Sequence, residues 1–150
     1  MKESPDTQNL EKILKSPAFS AAGFMGSDTR RLSEIIDADL ADLARLNYTP
    51  QQIAKRMQQI TDTAKEALGN WIKIDDNFSA KIAEVKGRIP CPWPHAGNYA
   101  KRVTTLKDIK TNKQILFSDL NIHMIAEHNF FEGRGSTFRV EPEEIVEMLF

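Results

Sequence analysis

The chain holds one cysteine and three histidines, and all four fall between positions 91 and 128 in two short-spaced pairs. The first pair lies in Cys91-Pro92-Trp93-Pro94-His95, the second in His123-Met124-Ile125-Ala126-Glu127-His128. Zinc takes four ligands at the corners of a tetrahedron, and thiolate and imidazole are the donors it prefers. A pair on a stiff turn and a pair on a helix can build such a centre. Pro90, Pro92 and Pro94 stiffen the turn, and Gly97 lets the chain reverse after it. The helical pair carries a condition. Five residues at about 100° each put His123 and His128 roughly 140° apart, so they share an ion only if the helix tightens or ends near His128. Asn129, a residue suited to the left-handed conformation, predicts such an end.

In order, turn pair, hairpin and helix pair, residues 91–128 resemble a Cys/His zinc finger. They depart from it in two ways: His95 stands where a second cysteine is usual, and the hairpin between the pairs is longer. The resemblance implies a structural zinc held by Cys91, His95, His123 and His128. Were one of Cys91 and His95 not a ligand, a position would open, and Asp119 or Glu127 could orient a histidine from behind. Two catalytic alternatives exist. His-x-x-x-Glu-His misses the inverted metallopeptidase pattern by one residue, and the extra residue separates the histidines on the helix. Cys91 could be a nucleophile with His95 or His123 as its base and Asp119 or Glu127 behind it. Proline on both sides of Cys91 keeps it off the helix N-terminus that would lower its pKa.

Charge offers a second kind of chemistry. Between Lys86 and Lys113 seven cations stand against Asp108 alone, a local charge of +6, while the chain after Ser118 carries −5. Lys101, Arg102, Lys107, Lys110 and Lys113, with Trp93 and Tyr99 interleaved, could contact nucleic acid or an acidic partner. Solvated lysines that keep a hairpin edge from aggregating explain the same pattern. The whole chain has 20 basic and 21 acidic side chains in 150 residues, which excludes bulk electrostatics as a basis for binding nucleic acid or membranes. No run of about 18 apolar residues exists to span a membrane. The first residues carry no apolar stretch that could serve as a signal peptide. One cysteine makes no internal disulfide, and the cytoplasm is the expected location.

The elements that must position these residues read as a helical front, 1–70, and a mixed back, 71–150, forming one compact unit. A short helix over Thr7–Lys15 carries Leu10, Ile13 and Leu14. The loop Ser16–Ser27 folds Phe19, Phe24 and Met25 back onto the domain. Ser27 or Asp28 caps a helix to about Leu46 with Leu32, Ile36, Leu40 and Leu43 at helical spacing and Glu34, Asp37, Asp39 and Asp42 opposite. Thr49-Pro50 starts another, with Ile53, Met57, Ile60 and Ala64 on one face, to about Leu68. The short link between them predicts an antiparallel helical hairpin. Residues 46–57 resemble the opening of a helix-turn-helix, but the glycine turn is missing after Met57 and the apolar spacing runs on.

In the back half, Trp71–Asp75 alternates as a strand. Phe78–Val85 fits strand or helix and is read as strand. Val103–Asp108 and Gln114–Phe117 form a hairpin, and Ser118 or Asp119 caps a helix to about His128. Gly133-Arg134-Gly135-Ser136 is a loop that resembles a phosphate cradle without the surrounding strand-to-helix crossover. Thr137–Val140 reads as a short strand, and Pro142 opens a terminal helix. The expected fold is α+β: a helical hairpin with a short leading helix beside a small antiparallel sheet module with a short helix and a C-terminal helix. The expected function is a small non-enzymatic binding or adaptor protein with a structural zinc. The alternatives are a nucleic-acid-binding module using the hairpin 99–113, and a metal- or thiol-dependent hydrolase.

Overall fold

A computed structural model describes residues 4–17 and 23–150, so Phe19 lies outside the described residues. The fold is α+β. In chain order the elements are α1 (Pro5–Lys15), α2 (Leu32–Leu46), α3 (Pro50–Lys65), β1 (Ile72–Lys73), β2 (Phe78–Pro90), β3 (Asn98–Asp108), β4 (Gln114–Ser118), α4 (Asp119–His128) and α5 (Pro142–Leu149). The strands form one antiparallel sheet in sequential order β1-β2-β3-β4.

Helix starts follow local chemistry. Ser4 Oγ accepts the N–H of Thr7 at 3.2 Å and Pro5 follows it, which opens α1 two residues earlier than its apolar spacing suggests. Thr49 and Gln52 cap α3 reciprocally, at 3.2 and 2.9 Å. Ser118 and Asn121 do the same for α4, at 3.0 and 2.8 Å. The start of α2 differs from expectation. Neither Ser27 nor Asp28 caps it; Arg31 precedes the helix, and Glu11 of α1 accepts the N–H of Leu32 at 2.9 Å inside the protein. A carboxylate suits that end because the helix dipole is positive there. Asp28 instead accepts from Arg30 and from the backbone N–H of Arg134.

Asn47, with φ 63°, ends α2 as a short link into Thr49. The link is as expected, yet each helix finds its main partners elsewhere: α3 lies on α4 and β2, and α2 on α5. One apolar cluster fills the space between the inner sheet face and the helices, with Met57, Ile60, Leu106, Phe117, Ile125 and Ile145 fully buried. The hydroxyls of Thr61 and Thr104 meet in it at 2.8 Å, so the two buried polar groups satisfy each other. A second cluster gathers Leu14, Phe24, Met25, Leu32, Ile35, Cys91, Leu120, Met124 and Phe130. It joins α1 and the start of α2 to the far end of the β2–β3 hairpin.

Two expectations are corrected here. Residues 137 and 138 form a turn and 139 and 140 irregular chain, rather than a strand. Val140 N–H donates to Phe131 O, and the Arg139 side chain turns inward to Asp39 at 2.5 and 2.8 Å. Asp39, placed by its spacing on the solvent face of α2, is therefore buried. The loop 133–136 packs against a second loop. Its backbone crosses residues 24–28, with Ser27 N–H donating to Arg134 O at 2.9 Å and Gly133 N–H to Phe24 O at 2.8 Å. A Cβ on Gly133 or Gly26 would collide with the opposing backbone, so the glycines serve close approach.

Glu132 lies beside this crossing, buried, with Asn121 and Ser136 near its carboxyl and Arg139 donating to its carbonyl at 2.8 Å. Burial outweighs those neighbours and pushes its pKa up to about 7, against 4.5 in the unfolded chain. The folded state therefore binds the proton more tightly. Its contribution to stability is fully present below about pH 4.5 and is lost as pH rises through 7. Urea midpoints taken between those limits should fall with pH by an amount on the order of 2–3 kcal/mol in ΔG. Glu132→Gln should flatten that slope, and an unchanged slope would contradict this account.

Candidate metal centre

The β2–β3 hairpin is long and bends. Its register shifts between Val85 and Arg88, where Gly87 adopts φ 103°. Beyond the bulge the strands run to Pro90 and Asn98, and the turn between them carries Cys91 and His95. The turn is tight, with His95 N–H donating to Trp93 O at 2.8 Å. On the other side, α4 ends at His128 and Asn129 closes it with φ 55°. The helix end stated above as a condition is therefore met, and the rings of His123 and His128 come within 5.1 Å of each other.

All four candidate side chains converge. Their donor atoms lie within 4.8 Å of one another, with Cys91 buried, His95 exposed and the other two half-buried. His95 Nε2 is 3.1 Å from His128 Nε2 and 3.2 Å from His123 Nε2, and Cys91 Sγ is 3.5 Å from His128 Nε2. Ligands about 2.0–2.3 Å from a tetrahedral zinc stand roughly 3.3–3.6 Å apart. Three of the donor separations thus come close to the edges of a tetrahedral metal shell, and the four side chains form a cluster that could hold a metal ion.

Proton placement points the same way. A histidine that binds a metal through Nε2 must carry its proton on Nδ1 and needs an acceptor there. His95 Nδ1 lies 2.9 Å from the carbonyl of Ala96, and His123 Nδ1 lies 2.9 Å from the hydroxyl of Tyr99. Both contacts can accept an Nδ1 proton, which leaves the Nε2 atoms of these two rings available to a cation. His128 is held differently, by the indole of Trp93 stacked at 4.1 Å and nearly parallel. Burial, then the neighbouring His123 and His95, push His128 down to about 4, and burial with His95 lowers His123. Both rings are thus neutral at pH 7, the form that coordinates. Burial raises the Cys91 thiol, and a bound cation would reverse that by stabilising the thiolate.

Other sequence-nominated residues are placed as follows. Asp119 does not reach a histidine; it pairs with Arg102 at 2.6 Å, and Arg102 also holds Glu84 at 2.6 Å. Glu127 is exposed and acts on His123, His128 and Tyr99 through its charge alone. Trp93 and Tyr99, nominated for stacking on bases, pack on the histidines instead. Lys113 pairs with Glu144 at 3.4 Å, and Lys107 lies over the ring of Trp71. Lys101 and Lys110 are exposed. Within the hairpin 99–113, Arg102 and Lys113 are thus held in ion pairs, while Lys101, Lys107 and Lys110 are not. Tyr99 is the partner that sequence reasoning missed. Its only trace in the sequence is a phenol one strand position beyond the Pro-rich turn, where a ring can face a histidine. Comparison with family models, with curated proteins and with solved structures finds no match for the chain.

Proposed function

We propose that the chain is a small non-enzymatic binding protein whose surface is organised by a structural zinc held by Cys91, His95, His123 and His128. The observation that carries this reading is the 3.1, 3.2 and 3.5 Å spacing of one sulfur and three Nε2 atoms. One thiolate and three imidazoles make a borderline-soft set that suits zinc, and four protein ligands leave no open position for a substrate. The two clefts beside Arg102 are lined by other residues, so neither would deliver a substrate to the ion. The metal would tie the turn after β2 to the end of α4, and with it the second apolar cluster, to which Cys91 and Trp93 belong.

Elemental analysis of protein purified under reducing conditions should find one zinc per chain. Cobalt substitution should give the visible bands of a tetrahedral ion with a thiolate-to-cobalt charge-transfer band. Cys91→Ser should abolish that band, and His95→Ala should weaken metal retention. Protein that stays substoichiometric after reconstitution with excess zinc would overturn the reading. A five-coordinate cobalt spectrum, with three protein ligands and water, would favour the metal-hydrolase alternative.

A further inference from the structure

The sheet has two unlike faces. Inward-pointing residues of β2, β3 and β4 are buried on the helices, among them Phe78, Ala80, Leu106 and Phe117. The alternate residues face away, and they are all exposed or half-buried: Ser79, Lys81, Ala83 and Val85 on β2, Val103, Thr105 and Lys107 on β3, Leu116 on β4. Lys73 of β1 and Lys101 of β3 also stand at outward positions, paired with Ser79 and Val85. Four lysines thus share this face, and no aspartate or glutamate stands at an outward position on it. Lys73 alone has an ion-pair partner, the exposed Asp76 at 3.2 Å.

Flat apolar groups interrupt the lysines. At one end the indole of Trp71, 39% exposed, has Lys81 and Lys107 ammonium groups 4.8 and 4.2 Å from its centroid. At the other end a cleft of about 460 Å³ opens between Ala83, Val85 and Val103 of the sheet and Phe24, Leu120 and Phe138. Lys101 stands on its rim. The two carboxyls there are occupied or enclosed, Glu84 by Arg102 and Glu132 by burial. Six residues of strand separate Lys101 from Lys107, about 20 Å, or roughly six stacked nucleotides at about 3.4 Å each.

We infer that this outer sheet face binds single-stranded nucleic acid, with lysines on the phosphates, a base against Trp71 and a base in the cleft. The inference rests on the reading of the chain as a binding protein, and it does not require the metal. A polymer that alternates anions with flat rings matches a face that alternates ammonium groups with flat apolar ones. A duplex hides its ring faces within its own stack and leaves Trp71 and the cleft without partners. The surface differs from the hairpin 99–113 nominated by charge, because strand alternation divides that segment's cations between two faces.

The test is fluorescence anisotropy of a labelled 12-nucleotide oligothymidylate or oligouridylate with the zinc-reconstituted full chain. Binding at 50 mM salt is expected, weakening with a log–log salt slope of about −2 to −3 for three or four contacts. Lys81→Glu with Lys107→Glu should weaken it at least tenfold, while Lys12→Glu and Lys110→Glu change it less than threefold. Trp71 emission should be quenched in step. Should the charge reversal fail to fold, Lys81→Gln with Lys107→Gln replaces it, and a loss of at least threefold is expected. No binding at low salt would overturn the proposal. So would equal losses in the control variants, tighter binding of a 12-base-pair duplex, or equal binding of a 12-residue polyglutamate. Zinc content measured on the same samples separates the two readings: binding without zinc defeats the metal reading alone, and zinc without binding defeats this inference alone.

Discussion

Replacing Cys91 by serine should lower the unfolding free energy of the zinc-loaded protein by about 4 kcal/mol, the mass-action consequence of a roughly thousandfold weaker site. Removal of the ion by a chelator should cost at least as much. The pattern of loosening matters more than its size. Loss of the tie between the turn and α4 should raise hydrogen exchange over residues 86–100 and 119–131. It should also do so over α1 and residues 24–35, because Leu14, Phe24, Met25, Leu32 and Ile35 pack in the cluster that contains Cys91. Outside α4 and Phe131, the first cluster, with Met57, Ile60, Leu106 and Phe117, contains none of the four ligands and should keep its protection. Exchange that rises uniformly along the chain, or not at all, would show that the four side chains are not a clip. The loosening should not stop at the segment that carries the ligands. It should reach the N-terminal helix because the second cluster is shared.

Arg139→Met should destabilise the fold by about 3–5 kcal/mol, since it leaves Asp39 charged, buried and unpaired. Arg139 and Asp39 form a two-pronged pair at 2.5 and 2.8 Å, with side chains 8% and 3% exposed. The guanidinium also donates to the carbonyl of Glu132 and to Glu141. Asp39→Asn should cost less, because the amide oxygen still accepts one bond. A double replacement, Asp39→Leu with Arg139→Met, should recover part of the loss, as an apolar pair of similar volume often replaces a buried ion pair at little cost. Urea unfolding of the two singles and the double closes the cycle. An additive result would mean that the pair is not coupled, contrary to the geometry.

How much of this was legible in the sequence depended on how local the cause was. Proline at the first helical position, the Thr49–Gln52 cap and Asn129 are local, and α3, α4 and α5 start or stop where those residues say. Strand β2 runs five residues past Val85, because Gly87 and the bulge let pairing resume with Ala100, where Ile89 and Tyr99 reach the second cluster. The start of α2 depends on Glu11, which lies on another helix and leaves no mark near Arg31. The short strand read at 137–140 fails for the same kind of reason: Phe138 and Val140 alternate well, but Arg139 between them is drawn to a carboxylate a hundred residues away. The candidate site was nominated by inventory, since the soft donors of the whole chain stand in two pairs. What inventory could not supply was the orientation of the rings, which Tyr99, Ala96 and Trp93 fix through contacts made only in the folded hairpin.

The crossing of residues 24–28 over 133–136 has a kinetic consequence. Ser27 and Arg134 meet across 107 positions of chain, and their glycine-lined contact cannot form until α2, α3, the sheet and α4 have placed the two segments. Its formation therefore comes late and, like the pair of Arg139 with Asp39, adds a high-separation contact to a sheet in which every strand pairs with its neighbour in sequence. Refolding should accordingly show the meander and α3 collapsing first, with closure of the two loops as the slower event that completes the native state.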